Sequence, residues 1–209
     1  NLLRGENSGT VKVGIVSSFA SRWLSARLTN FFEICPDLSL KIESINSIDE
    51  FSKANFSIAI LWGDGWSDFE YELLMSSSSY ILGNRKIYDQ TKSLSLEEAM
   101  KKTPLLSDGF YGGHGGMKAW HKTANLEYKP SKSSLKITDA FTRLQAVIDG
   151  QGIALWDELV DEEIKSGKLF YISDIELQGF GYHLVYKNKN ALSIEEQKFR
   201  KWIKGVLQK

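Results

Sequence analysis

Residues 11–32 read VKVGIVSSFASRWLSARLTNFF, and this stretch decides the fold. Its first part, Val11 to Val16, is a β-branched apolar run typical of a buried strand, and Gly14 within it allows a close backbone approach. Between Ala20 and Phe31 the apolar residues recur at helical spacing. The stretch therefore predicts a strand that passes through a Ser17-Ser18 turn into an amphipathic helix.

The turn between this strand and helix is the first candidate for a ligand contact. Ser18 is a good N-cap residue, and a helix start leaves backbone N–H groups without intrahelical acceptors. A small polar or anionic ligand could bind there. The alternative is that Ser18 only caps the helix. A hydrolase elbow is not supported, because the G-x-S-x-G pattern is missing.

The first sixty residues alternate strand and helix. Leu38 to Glu43 is a predicted strand, Ser47 to Glu50 is a capping box that begins a short helix, and Phe56 to Leu61 is a third strand. This order predicts a parallel sheet with crossover helices, so the fold class is α/β. Ser17, Ser47 and the turn from Trp62 to Trp66 would follow the strand ends, where such sheets bind ligands.

The remainder of the chain repeats these signals. Further strands are predicted at Phe69 to Met75, Tyr80 to Leu82, Ile153 to Leu155, Lys168 to Ile172 and Tyr182 to Tyr186, with a weak one at Tyr128 to Ile137. Helices are predicted after Ser95, after Asp139 with Phe141, Leu144, Val147 and Ile148 on its apolar face, between Trp156 and Gly167, and after Ser193. The glycine-rich segment from Ser107 to Gly116 is predicted to be a loop that is either mobile or folded around another group.

Composition limits the class of protein. Of 209 residues 42% are hydrophobic, and no apolar run is long enough to span a membrane, so we expect no membrane contact. Lys plus Arg (26) equals Asp plus Glu (26), which argues against a nucleic-acid surface on this chain. The single cysteine, Cys35, fits a reducing, cytoplasmic location.

The candidates for metal binding and catalysis are weak. His114, His121 and His183 lack the spacing of metal ligands and read as scattered surface or loop residues, so we expect no metal and no cofactor. Asp64 and Asp68 are possible general bases, but such turns are common without chemistry, and no catalytic residue is expected. Core packing is expected to explain most of the aromatic residues near the presumed cleft, and one or two of them are candidates to line a pocket; they are Trp62, Trp66, Phe110, Tyr111, Trp120 and Trp156.

Three motifs in order resemble the effector-binding domain of LysR-type transcriptional regulators. They are SFASRWLSARL from Ser18 to Leu28, ILWGDGW from Ile60 to Trp66, and the A-x-x-x-G-x-G-x-A-L pattern from Ala146 to Leu155. The branch with the glycine-cleavage activator and the β-lactamase regulator is the most similar. Ala26 replaces its usual proline, and Trp62 stands where a basic side chain is common, which weakens the expectation of an anionic ligand.

The resemblance implies two Rossmann-like lobes joined by two crossover strands, as in type 2 periplasmic binding proteins. Residues 1–10 would be a linker remnant, residues 11–83 and 181–209 lobe I, and residues 84–180 lobe II, with the helix-turn-helix absent from this chain. A small polar effector would lie between the lobes. The expected ligand-binding residues are Ser17, Ser18, Phe19, Ser47, Trp62, Asp64, Asp139, Ala140, Phe141 and Tyr182.

The resemblance also implies partners. Effector domains would form a homodimer or tetramer through the first helix and a lobe II helix near Asp157 to Ser166, and DNA would be bound only by the missing N-terminal domain. The alternative class is a transporter solute-binding protein, which shares the fold and would have a signal peptide or lipobox encoded upstream. A small enzyme that depends on Asp64 is a more distant alternative.

Overall fold

The computed structural model describes residues 9–107, 116–129 and 135–207. Within them the chain forms two compact units. Unit 1 comprises 9–62, 66–75 and 182–207, and unit 2 comprises 63–65 and the described part of 76–181. The lobe boundaries expected from the resemblance stay a prediction.

A parallel sheet forms the centre of unit 1. Strand β1 (Thr10–Ile15) lies between β2 (Ser39–Ser44) and β3 (Ile58–Gly63) and is parallel to both, which confirms the predicted α/β pattern. Strands β4 (Glu70–Gly83) and β7 (Leu177–Tyr186) each run through both units and complete the order β2-β1-β3-β7-β4. A Cβ on Gly14 would lie 2.4 Å from the Phe56 ring, so this position needs glycine.

A helical segment follows β1 directly and ends at Ile34, with Cys35 as its C-cap. It comprises α1 (Ser17–Phe19), a π-helical turn (Ala20–Leu24), a 3-10 turn (Ser25–Arg27) and α2 (Leu28–Ile34). The prediction of Ser18 as the N-cap is wrong. Val16 precedes the helix with extended backbone, its carbonyl already accepts the Ala20 N–H at 3.1 Å, and Ser18 is a buried helical residue.

Two more helices complete unit 1, and both begin at predicted caps. Helix α3 (Ile48–Lys53) starts after Ser47, and α9 (Ile194–Leu207) starts after Ser193. Helix α9 packs its aromatic residues against α2, and the Trp202 indole donates to Asn30 Oδ1 at 3.0 Å.

Unit 2 combines helices with an antiparallel group of strands. Strands β5 (Ala154–Trp156) and β6 (Phe170–Tyr171) both pair antiparallel with β4. Its helices are α4 (Arg85–Thr91), α5 (Leu96–Lys102), α6 (Gly116–Thr123), α7 (Ala140–Ile148) and α8 (Asp161–Lys165), with a 3-10 turn (Glu158–Val160) before α8. The predicted helix starts at Ser95, where a capping box forms, and at Asp139 are confirmed, and Gly150 after α7 has a left-handed φ of 78°.

Several sequence predictions need correction. Strand β4 is continuous, whereas two strands were predicted, because the serine run at 76–79 is extended. Of the weak strand predicted from Tyr128, only Lys136 forms a β-bridge, to Ser107, and residues 130–134 lie outside the described part. Residues 108–115 of the glycine-rich loop also lie outside it. Phe141 is 39% exposed and does not share the buried face of α7.

No helix among the described residues is both long enough and apolar enough to cross a bilayer.

Candidate ligand-binding site

The carboxyl ends of three strands meet at one edge of unit 1. Ile15 is in register with Ser44 of β2 and with Ile60 of β3. Just beyond the strands, the Ile45 N–H donates to the Ile15 carbonyl at 3.2 Å, and the Val16 N–H donates to the Ile60 carbonyl at 3.0 Å. The helix start at Ser17 and the turn after β2 therefore leave the sheet side by side, as predicted for a ligand-binding edge.

The helix start at this edge has no side-chain cap among the described residues. Its backbone N–H groups lack intrahelical acceptors and point a partial positive charge outward. The carbonyl of half-buried Ser17 accepts the Ser21 hydroxyl at 3.0 Å. The π-helical turn begins three residues later, and such turns often occur at functional sites. No feature of the sequence predicted the π-helical turn.

Two predicted ligand-binding residues lie in the core of unit 1. The rings of Phe19 and Tyr182 are 4.8 Å apart, and Phe19 also stacks on Trp23 at 4.9 Å. Both side chains are buried. They hold the helix start against β7, and their contact with a ligand stays a prediction.

The turn after β2 contains a polar group that the sequence analysis missed. Ser47 accepts the Glu50 N–H at 3.1 Å, but the Glu50 carboxylate accepts the Asn46 N–H at 2.8 Å, one residue before the expected position. The side-chain Oδ1 of Asn46 is buried and has no hydrogen-bond partner among the described residues. Such groups are rare because an unpaired buried acceptor is costly, so Asn46 is a candidate ligand contact.

The predicted contacts in unit 2 include the start of α7. The Asp139 carboxylate accepts the Thr142 N–H at 2.8 Å and the Thr142 hydroxyl at 2.7 Å. A negative charge thus already sits at this helix start and disfavours a second anion there. Ala140 is buried in the core of unit 2, whereas Phe141 is partly exposed. Their role in binding stays a prediction.

The turn after β3 is shaped by its own residues. Gly63 and Gly65 have φ of 136° and 77°, which explains the glycines, and the Asp64 carboxylate accepts the Gly65 N–H at 2.7 Å. Asp64 is exposed and belongs to unit 2, and Trp62 is half-buried at the end of β3 in unit 1. The structure thus describes a tight turn without assigning chemistry to Asp64.

The histidines in the described part are not surface residues, so that prediction is wrong. His183 lies in β7 at 7% exposure, with its ring 5.5 Å from Trp66 and 5.3 Å from Tyr71. His121 is 3% exposed, and its Nδ1 is 2.8 Å from the Met117 carbonyl. Burial lowers the pKa of His121. His114 lies outside the described residues, within which no metal-ligand group is found.

Comparisons with known proteins agree on one family. A family model described as "LysR substrate binding domain" matches residues 4–208. The chain is 24% identical over 198 residues to the glycine cleavage system transcriptional activator of Escherichia coli, covering 93% of this chain and 64% of that protein. It is 26% identical over 210 residues to the HTH-type transcriptional regulator BlaA of Proteus vulgaris, covering 96% and 67%. The chain therefore spans less than two thirds of the first of these relatives.

Solved structures agree on the fold. The effector domain of the transcriptional regulator AmpR of Pseudomonas aeruginosa matches with a TM-score of 0.80 at 20% identity, covering 96% of both chains. CrgA of Neisseria meningitidis, a LysR-type transcriptional regulator, matches with a TM-score of 0.76 at 18% identity, covering 97% of this chain and 69% of that one. The expected periplasmic-binding-protein-like α/β fold is confirmed.

Proposed function

The chain belongs to the LysR substrate-binding domain family, and we propose that it is the effector-sensing domain of a LysR-type transcriptional regulator. The relatives named above are transcriptional regulators. They therefore support this class over the alternative, a transporter solute-binding protein. DNA contact belongs to an attached DNA-binding segment, in keeping with the net charge of zero on this chain. We propose a cytoplasmic location and no catalytic activity.

The proposed effector contacts lie at the carboxyl edge of the unit 1 sheet. The observation that carries this proposal is that two features lie together at this edge: the helix start after Val16, which makes no side-chain cap, and the buried Oδ1 of Asn46, which has no hydrogen-bond partner among the described residues. One offers hydrogen-bond donors and the other an acceptor. The ligand is then a small polar molecule that presents both an acceptor and a donor.

Charge refines the proposed ligand class. Trp62 is the last residue but one of β3, at the position where the resemblance implies a basic side chain, so Trp62 itself provides no positive charge to balance a strongly anionic ligand. A neutral or zwitterionic metabolite fits this edge better. Asp64, Asp139, Ala140 and Phe141 stay predicted contacts from the resemblance.

A thermal-shift screen tests this proposal. Amino acids, hydroxy acids and sugars are added to the chain, and a true effector at ~100 Kd is expected to raise the unfolding free energy by ~2.7 kcal/mol. Each positive compound is then titrated by calorimetry into the variant chain that carries Ser17→Asp. Aspartate in the first helical turn stabilises the helix by about 0.5 kcal/mol, so the variant folds, but it blocks the helix start and should weaken binding at least tenfold.

Ser39→Asp is the matched control. Ser39 is exposed at the opposite, amino end of β2, so this variant adds the same charge away from the proposed edge. It should leave the affinity unchanged. The proposed site is wrong if both variants bind every positive compound as tightly as the native chain does.

A further inference from the structure

Unit 2 contains a cavity of about 240 Å³ that the proposed function does not use. Its floor is one face of the sheet. Tyr80 is directly opposite Trp156 on β5, and Leu82 is directly opposite Tyr171 on β6, so these four side chains point to the same side. Ser78 joins them by alternation along β4. Three aromatic side chains therefore line one enclosure.

The wall of the cavity is acidic. Asp157, Glu158, Asp161 and Ile164 come from the 3-10 turn, the residue before it and α8. The Asp157 carboxylate accepts the Leu159 N–H at 3.2 Å, and the Glu158 carboxylate accepts the Ser78 N–H at 3.2 Å.

The positive charges described near this wall belong to Lys165 and Arg143. The lining residues include no lysine, arginine or histidine. Lys165 is 3.9 Å from Asp161 in an exposed pair, which solvent screens strongly, and the Arg143 guanidinium lies 5.3 Å from the centre of the Trp156 ring. Burial raises the pKa of Tyr80, and the negative charges of Glu176 and Glu158 raise it further. The residues that line the cavity therefore carry three carboxylates and no cationic side chain.

Trp156 gives an independent sign of a missing partner. Its side chain is 7% exposed and lines the cavity. Its indole N–H is buried and has no acceptor among the described residues. Buried tryptophans usually donate this hydrogen bond, as Trp120 does to the Ile175 carbonyl at 2.8 Å.

We propose that this cavity binds a small organic cation, an ammonium or methylated ammonium group with an oxygen acceptor close to it. The carboxylates and the aromatic rings are the surroundings that such a cation favours, and the oxygen accepts the Trp156 N–H. The aromatic side chains of the floor are not ligands for a bare metal ion, so they favour an organic cation. This site is separate from the proposed effector contacts of unit 1, because all its lining residues belong to unit 2.

Choline and its neutral isostere 3,3-dimethyl-1-butanol test the charge requirement. They differ only by nitrogen or carbon at the quaternary centre. In calorimetric titrations of the chain, choline is expected to bind at least about tenfold more tightly, a difference of ~1.4 kcal/mol. The proposal is wrong if the isostere binds equally well, if ~10 mM choline gives no heat and no thermal shift, or if calcium ions displace choline.

Substitutions test whether the carboxylates of the cavity bind choline. Asp161→Asn combined with Glu158→Gln should weaken choline binding at least about tenfold. Glu162→Gln is the matched control, because Glu162 is an exposed residue of the same helix that does not line the cavity. Circular dichroism and melting curves confirm that each variant is folded.

Trp156→Phe separates the oxygen contact from packing. It removes the indole N–H, so it should weaken choline but leave tetramethylammonium, which has no oxygen, unchanged. Equal losses for both cations would show that Trp156 only packs there. If choline does not bind and the Asp161 and Glu158 variants instead change the sedimentation coefficient, a basic side chain of a second copy occupies the cavity and the proposal fails.

Discussion

At the scale of single residues, Glu72 is the centre of charge in unit 1. Its side chain is 19% exposed and is bound by Arg200, whose Nη2 is 2.6 Å from Oε1, and by the Tyr186 hydroxyl at 2.8 Å. Lys189 and Lys204 lie 2.7 and 3.4 Å away. These partners, Arg200 first, hold the pKa of Glu72 well below its usual range although burial opposes them.

Glu72→Gln is therefore expected to destabilise the chain by about 2 kcal/mol at pH 7, since it leaves three cations without their anion. Because the folded-state pKa is depressed, this stabilisation is complete above the ordinary carboxyl value of 4.5 and is lost as the pH falls below it. Urea unfolding at pH 7 and at pH 3 measures the effect, with exposed Glu70→Gln on the same strand as the control. An equal loss at both pH values would contradict this account.

Asn46 is expected to contribute to effector binding without stabilising the fold. Asn46→Ala removes a buried acceptor for which no described residue is a donor, so the unfolding free energy should stay the same or rise by up to ~1 kcal/mol. An effector found in the screen should bind about tenfold more weakly, because its donor loses this acceptor. Urea unfolding and calorimetry measure the two quantities. A destabilised variant with unchanged affinity would show that Asn46 is structural.

The residues that sequence reasoning missed share a physical cause. In Asn46 and in Trp156 a buried polar atom has no hydrogen-bond partner within the part of the chain that the structure describes, and such a feature depends on residues distant in sequence. Ser18 is a favourable cap by type, but Val16 is bound to β3 and takes the N-cap position, so the helix begins two residues earlier than predicted. Local propensity therefore predicted which strand ends form the edge of the sheet, but it did not predict the buried polar atom of Asn46 at that edge.

At the scale of elements, β1 depends on a close approach at Gly14. A Cβ there would lie 2.4 Å from Phe56 and 2.6 Å from Ile45. Gly14→Ala is expected to cost about 2–3 kcal/mol, because both neighbours are buried and the strand lies between two others. Chemical denaturation measures it, with Lys12→Ala at an exposed position of the same strand as the control. A loss under about 0.5 kcal/mol would mean that the neighbours repack freely.

Helices were predicted better than strands, for reasons that lie in the chemistry of their ends. Caps at Ser47, Ser95 and Asp139 are local hydrogen bonds, so the sequence is sufficient to place them. The serines of β4 have no strand propensity, yet Ser77 and Ser79 are buried and Ser78 is half-buried, an alternation set by burial and not by residue type. The π-helical turn after α1 likewise has no local signature.

At the scale of the whole molecule, we propose that the exposed apolar residues at the end of the first helix, with Ile42 on β2, form its half of the dimer contact that the resemblance implies. Phe32 and Ile34 at the end of α2 are 44% and 60% exposed, and Ile42 on edge strand β2 is 36% exposed. Exposed large apolar side chains close in sequence favour a partner surface. The first turn of α8, the other proposed half, carries Glu162 and Glu163 outside the cavity of unit 2, and these two would meet the basic side chains of the first helix.

Phe32→Asp combined with Ile34→Lys should abolish this dimer. The two changes replace apolar contacts with polar groups, and about tenfold or more weaker association is expected in sedimentation velocity at several concentrations. Ile194→Lys is the control, because Ile194 is 68% exposed at the start of α9, outside the proposed contact. Glu162→Lys in α8 should weaken the dimer as well. Its effect is doubled, because in an isologous dimer each substitution is present at two equivalent contacts. A native chain that stays monomeric at every concentration, or a control that dissociates equally, would refute this surface.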